Sequence, residues 1–263
     1  MNKQDIFAET YSGVRQLVER LIGPDGCPWD KEQTPATLKH LFLEECYELV
    51  EAIDEDDTDK MIEELGDVFF HLAFQIQIAA KAKRFTQKDV FASLLGKLVR
   101  RHPHVFGDTQ MDDPSEAVPK WDAIKRKELE GSDRSILDGV PKAMPALSYA
   151  QAVQGRAARM GFDWDDFQGV VDKIAEEVRE LGEAESPEAK EREMGDLLFS
   201  MANAARWMGA ESENALRGTN TRFYKRFTTM EQLSRERGLR FEDLPLDQKE
   251  ALWEEAKALE ESV

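Results

Sequence analysis

Apolar residues return every three to four positions along most of this chain, which is the period of an amphipathic helix. From about Lys3 to Leu21 the stripe is Ile6, Val14, Leu17, Val18 and Leu21. The run Gly23-Pro24-Asp25-Gly26-Cys27-Pro28-Trp29-Asp30 ends it, because glycine and proline punctuate helices. Thr34-Pro35 reads as an N-cap followed by a first-turn proline. The helix that it opens carries Leu38, Phe42, Cys46, Leu49 and Ile53 on one stripe and runs to about Glu55. After an acidic turn, Asp54 to Asp59, a strongly apolar helix is predicted over roughly Lys60 to Lys83, and another from Gln87 to about Arg101.

The stretch from Asp108 to Pro119 is rich in Asp and Pro and reads as loop, and Trp121 to Leu129 as a short charged helix. Gly131 to Pro145 is again loop-like. No stretch alternates apolar and polar residues at strand period, so the expected fold is all-α.

The second half of the chain repeats the first. Gly161-Phe162-Asp163-Trp164-Asp165 echoes Gly26-Cys27-Pro28-Trp29-Asp30. Trp121-x-x-x-Lys125 returns 132 residues later as Trp253-x-x-x-Lys257. The expected organisation is a tandem duplication, with helical domains at 1–130 and 146–263 and a linker at 131–145.

An acidic pattern also occurs once per half. Glu44-Glu45-Cys46-Tyr47-Glu48 is followed by Glu64-Leu65-Gly66-Asp67, and Glu176-Glu177-Val178-Arg179-Glu180 by Glu193-Met194-Gly195-Asp196. The EExxE copies are 132 residues apart and the ExxD copies 129, so three residues are missing between the acidic motifs of the second half. Loops are where such a difference is expected.

Residues three or four apart share a helix face, so Glu45 pairs with Glu48 and Glu64 with Asp67. The ExxD helices are apolar around their acids, with Met61, Leu65, Val68, Phe69, Phe70, Leu72 and Phe74 in the first. A polar line, Glu64, Asp67, His71 and Gln75, crosses this helix, and Glu193, Asp196, Ser200 and Asn203 cross the second. Helices this apolar should be mostly buried. Unpaired buried charge is costly, so acids there need a counter-charge. The sequence supplies no evident lysine or arginine to match them. The expectation is therefore a divalent-metal cage of hard oxygens, for Mg²⁺, Mn²⁺ or Ca²⁺. A solvated acidic face is the alternative, and the repetition inside apolar helices argues against it.

Composition narrows the partners. The 263 residues carry a formal net charge of −18, with 41% hydrophobic and 33% charged residues. That excess argues against nucleic acid or a membrane surface as the main partner. Met1 to Ile22 is too polar for a signal peptide, and no apolar run is long enough to span a bilayer. Two cysteines, Cys27 and Cys46, make no zinc or disulfide framework, and Cys46 reads as a core residue. A reducing cytoplasm is the expected location.

Two cations held by carboxylates suit phosphoryl chemistry, because they screen a polyphosphate and acidify an attacking water. Basic residues should complete such a cradle. The segment Asn220 to Phe227, with Arg222, Lys225 and Arg226, is one candidate, although it also reads as an amphipathic helix burying Phe223 and Phe227. Arg100-Arg101-His102-Pro103-His104 could bind phosphate, or could place cations at a helix C-terminus. His71 lies on the polar line, while His40 has no assigned role. Trp253 is either a packing residue or a stacking surface for a base. Asn203 can hydrogen-bond a base, sugar or phosphate, whereas the matching Phe74 cannot, so the second half is expected to hold the dominant site. No Walker, GxGxxG, GxSxG, HExxH or Glu-x-x-His pattern is present.

GCPWD at Gly26 to Asp30, LEExYE at Leu43 to Glu48, ELGD at Glu64 to Asp67, RRHPHVFG at Arg100 to Gly107 and the second EExxE with EMGD resemble the MazG family of nucleoside triphosphate pyrophosphohydrolases. The resemblance spans nearly the whole chain. It implies all-α NTP pyrophosphatase domains paired into helical bundles, usually as homodimers. It implies Mg²⁺-dependent hydrolysis of nucleoside and deoxynucleoside triphosphates at the α–β bond, giving monophosphate and pyrophosphate and clearing unwanted nucleotides. The implied metal ligands are Glu177, Glu180, Glu193 and Asp196, with Glu45, Glu48, Glu64 and Asp67 in the first half. The implied nucleotide contacts are Lys190, the Arg222 to Arg226 segment and Trp253. Arg222 stands where lysine is expected and Arg192 interrupts a run expected to be acidic; either could alter nucleotide preference. The expected mechanism is in-line attack of a metal-activated water on the α-phosphorus, with Glu176 orienting the water. The other reading is a metal-stabilised helical scaffold that binds nucleotide or protein without hydrolysis.

Overall fold

The computed structural model describes residues 7–110, 113, 120, 121, 123, 124 and 135–261, and among these there is no β-strand. The chain divides into two compact units, Met1–Glu128 and Leu129–Val263. The expected boundary at residue 130 and most of the predicted Trp121–Leu129 helix lie outside the described residues.

The first unit contains α1 (Tyr11–Leu21), α2 (Pro28–Glu32), α3 (Lys39–Asp54), α4 (Thr58–Lys81), α5 (Gln87–Arg101) and the single turn α6 (Pro103–Phe106). Thr10 caps α1, its hydroxyl accepting from the Gly13 amide. Thr34 does not cap α3. Its hydroxyl accepts from the Thr37 amide, and the Thr37 hydroxyl accepts from the Thr34 amide, so the pair closes a separate turn before Lys39. Asp57 caps α4 through the amides of Asp59 and Lys60. Thr86 and Asp89 form a reciprocal capping box on α5. These side chains satisfy amides that a helix start leaves unpaired.

Helices α1 and α3 pack on α4. Their shared core is Val18, Ile22, Leu38, Ala73 and Phe74, with Val14, Leu41, Phe70 and Ile78 against it. Burying a side chain such as Phe74 contributes roughly 1.5–3 kcal/mol.

The second unit contains α7 (Ala146–Ala158), α8 (Phe167–Glu183), α9 (Pro187–Trp207), α10 (Ser212–Glu236), a 3₁₀ turn (Phe241–Asp243) and α11 (Leu246–Glu261). Helix α9 packs on α7 and α8, and α10 on α11. Gln151 on α7 ties down the start of α10: its carbonyl accepts from the Ser212 amide and hydroxyl, both at 2.8 Å. Met230, Leu252 and Ala256 form a local core with Leu233, Phe241, Leu244 and Trp253 packed against it.

The acidic pairs α3–α4 and α8–α9 are the same helical hairpin repeated. The connections between their helices are equally long, residues 55–57 and 184–186. The three missing residues are therefore not in the loop. Helix α3 continues from Glu48 to Asp54, whereas α8 stops at Glu183, three residues after Glu180. Three residues are nearly one helical turn, so the change shortens the helix with little rotation of its acidic face.

Both ExxD helices are less buried than their composition predicts. Leu65, Phe69 and Leu72 on α4 and their counterparts 129 positions later, Met194, Leu198 and Met201 on α9, are 37–51% exposed. Each hairpin buries one face and leaves an apolar row uncovered.

Candidate functional site

On α3 and α4, carboxylate oxygens of Glu45, Glu48 and Glu64 lie within 4.8 Å of one another, as do those of Glu177, Glu180 and Glu193 on α8 and α9. In each half the second and third acids of EExxE meet the first acid of ExxD across the hairpin. Asp67 and Asp196 are exposed and stand outside these two groups. Asp67 is still close enough that its charge acts on Glu45, Glu64 and His71.

Charge balance differs between the clusters. Burial, then repulsion from Asp67, Glu48 and Glu44, pushes the Glu45 carboxyl above its ordinary range. Desolvation and neighbouring acids push Glu64 the same way. Buried His71, with Nε2 3.7 Å from Glu45, is held below its usual value by burial, against the pull of Asp67. The first cluster thus holds three acids and no lysine or arginine among the described residues.

The expectation of no matching cation fails in the second cluster. Lys173 Nζ lies 2.7 Å from Glu177 Oε1 and 3.2 Å from Glu176 Oε1. Hydrogen bonds from both acids push the ammonium's pKa well up. Arg192, exposed, pairs with Glu193 at 3.0 Å. The position matching Lys173, 132 residues earlier, is Leu41.

Both clusters fit a hard divalent cation. Glu177 is 3% exposed, and its Oε2 is buried with no hydrogen-bond partner among the described residues. Oε2 of Glu64 is in the same position. An anionic oxygen left unpaired in this way is a ligand for a cation approaching from the open side. Lys173 occupies only the other oxygen of Glu177.

Beside the second cluster is a cavity of about 460 Å³, bounded by α7, α8, α9 and the 161–164 turn. Lys173, Ser200, Asn203, Arg206, Trp164 and Phe199 are among its lining residues. Asp163 fixes one wall. Its Oδ1 accepts from Arg206 Nη2 at 2.5 Å, Trp164 N at 3.0 Å and Trp207 Nε1 at 3.1 Å. Burial opposes the charge, yet those hydrogen bonds and the Arg206 guanidinium together hold the carboxyl below its usual range.

The other expected nucleotide residues are elsewhere in the unit. Lys190 is exposed in the first turn of α9. Arg222 donates to Thr219 at 2.9 Å, and Lys225 is exposed. Arg226 bonds Glu260 at 2.6 Å and lies over the Trp253 ring, 5.6 Å from its centroid. Trp253 also meets Phe223 at 5.5 Å, so in this structure it is a packed residue. None of Arg222, Lys225, Arg226 or Trp253 lines the cavity. In the first unit, Arg100 and His102 bond the carbonyls of Gly96 and Leu98, the helix C-terminal arrangement. Cys46 is half-buried, its thiol pushed up by burial and then by Glu45.

Sequence reasoning did not single out Lys173, Gln154, Asp163 or Arg206. Lys173 had a signal, since it precedes Glu176 and Glu177 by three and four residues. Arg206 and Asp163 are 43 residues apart and had none.

Strandless helical units, each with a hairpin carrying a carboxylate cluster, define an all-α protein with two candidate cation centres. The model of the MazG nucleotide pyrophosphohydrolase domain matches residues 33–106, which include α3, α4 and the first cluster. A Thermotoga maritima protein named nucleoside triphosphate pyrophosphohydrolase/pyrophosphatase MazG is 44% identical over 246 residues, covering 94% of this chain and 95% of that protein. The Escherichia coli K12 nucleoside triphosphate pyrophosphohydrolase is 42% identical over 251 residues, covering 93% of this chain and 95% of its own length. The chain belongs to the MazG nucleotide pyrophosphohydrolase family and is a hydrolase. Among the described residues no helix is long and apolar enough to cross a membrane.

Proposed function

We propose that this chain hydrolyses nucleoside and deoxynucleoside triphosphates to the monophosphate and pyrophosphate, with Mg²⁺ or Mn²⁺, at the second unit. The observation that carries the reading is the buried, unpartnered Oε2 of Glu177, in a three-carboxylate cluster that shares Lys173 with a nucleoside-sized cavity. Both full-length relatives are named as acting on nucleoside triphosphates.

Glu177, Glu180 and Glu193 would hold the cation, with Asp196 one turn along α9 from Glu193. A divalent cation bound there screens the phosphate charge and acidifies water. Lys173 contributes a second positive charge within reach of both cluster and cavity. Lys190, Arg222, Lys225 and Arg226 supply further cations of the same unit, and Trp253 a ring surface beside Arg226. Glu176 orients the attacking water and takes one of its protons. The water oxygen bonds to the α-phosphorus, the bond from that phosphorus to the bridging oxygen breaks, and the electron pair leaves with pyrophosphate. Binding and alignment account for most of such a rate enhancement.

The apolar rows Leu65–Phe69–Leu72 and Met194–Leu198–Met201 support assembly as a homodimer. A row of this kind repeated in both halves suits helix-to-helix burial.

Incubation with Mg²⁺ and each of several NTPs, followed by product separation, tests the reaction. Monophosphate and pyrophosphate in equal amounts are expected. Orthophosphate and diphosphate would overturn it.

A further inference from the structure

We propose that the second unit's cavity seats the nucleobase, with Gln154 and Asn203 as a fixed acceptor and a fixed donor for its polar edge. This deepens the proposed function and rests on it.

The two amides are oriented by their neighbours. Gln154 Nε2 donates to the Phe199 carbonyl at 2.8 Å, which leaves Oε1 as its remaining group. That oxygen is buried with no hydrogen-bond partner among the described residues. Asn203 Oδ1 accepts from Arg206 Nε at 2.9 Å, which leaves Nδ2 as a donor. Arg206 is held in turn by Asp163, itself fixed by Trp164 N and Trp207 Nε1. Neither amide can flip without breaking its bond.

A buried acceptor with no partner calls for a ligand N–H. A neighbouring donor calls for a ligand acceptor. On its pairing edge every standard nucleobase offers a donor beside an acceptor. The cavity therefore recognises a base without choosing strongly among the four, and rejects one whose edge nitrogen is alkylated.

The walls suit a flat ring. Trp164 and Phe199 line the cavity with Val153 and Ala157. Trp164 lies so close to α8 that a Cβ on Gly169 would meet its Cε3 at 2.8 Å. Glycine at 169 is what lets that indole take its place. Lys173 belongs to both the lining and the carboxylate cluster, so a base in the cavity directs its phosphates toward the acids.

The first unit explains itself by contrast. Asn203 is matched 129 positions earlier by Phe74, which is 1% exposed in the apolar core with Val18 and Leu38. Arg206 is matched by Gln77. The first unit keeps a carboxylate cluster and has its base seat filled by its own side chain.

Calorimetry with Mg²⁺ and three probes tests this: α,β-methylene-UTP, its N3-methyl derivative, and inorganic tripolyphosphate. Wild-type protein should bind the N3-methyl compound about tenfold or more weakly than its parent. Gln154→Met and Asn203→Leu should weaken the parent nucleotide by a similar factor and leave tripolyphosphate unchanged. Equal wild-type affinity for both nucleotides would overturn the proposal, and so would variants that lose nucleotide and tripolyphosphate together. The wild-type comparison needs no variant to fold. Pyrophosphate release from UTP is scored separately: its absence sinks the proposed reaction, whereas a failed probe ranking sinks only the base seat.

Discussion

Lys173 Nζ lies 2.7 Å from Oε1 of the buried Glu177. The second cluster therefore carries its own counter-charge, and the first, with Leu41 at the matching position, does not. Metal and lysine compete for one carboxylate. Lys173→Met leaves Glu177 buried and unpaired, so in EDTA the second unit should lose about 1–3 kcal/mol of stability. Saturating Mg²⁺ should restore much of it. Thermal melts of both proteins, with and without metal, check this; a variant with an unchanged melting temperature in EDTA would show that the pair contributes nothing.

The first cluster predicts a pH dependence. Glu45 and Glu64 have folded-state pKa values raised above the ordinary 4.5 by burial first and neighbouring acids second. Their contribution is fully present below pH 4.5 and is lost as pH rises through the raised values. His71, lowered by burial, acts in the opposite sense: stability falls as pH drops below 6.5. A bound cation removes the carboxylate repulsion. The melting-temperature gap between Mg²⁺ and EDTA should therefore widen as pH rises from 4.5 to 7. A gap that narrows over that range contradicts the account.

The uncovered rows predict association. Leu198→Glu places a charge in the middle of the α9 row, and Phe69→Glu does so on α4. If the rows pair copies of the chain, the double variant should elute as a monomer in light-scattering chromatography, with wild type as a dimer. A wild-type monomer would remove the assembly from the account.

The helices were legible because their punctuation is local. Asp57 at the start of α4 and Gln87–Arg101 as α5 follow from residues within a turn of one another. The acid triplets were legible for the same reason, since i,i+3 spacing fixes a face. Thr34 was misread because it closes its own turn with Thr37, a choice set by four residues that equally fit a helix start. The missing turn in the second half was assigned to the loop, where sequence offsets alone cannot separate loop from helix end. The cavity was not legible: Gln154, Asp163 and Arg206 meet only once α7, the 161–164 turn and α9 are packed. The apolar ExxD helix was expected to be mostly buried. Its composition does not distinguish a face covered by its own hairpin from one left for another chain.

Paired variants test the central claim most directly. Glu180→Ala and Glu48→Ala remove the matching acid from the second and first clusters. Pyrophosphate release from a panel of NTPs with Mg²⁺ should fall by about 10²-fold or more in Glu180→Ala, the loss typical of removing one key electrostatic group. Glu48→Ala should stay within a few-fold of wild type. Full activity in Glu180→Ala with its loss in Glu48→Ala would move the chemistry to the first unit and contradict the account.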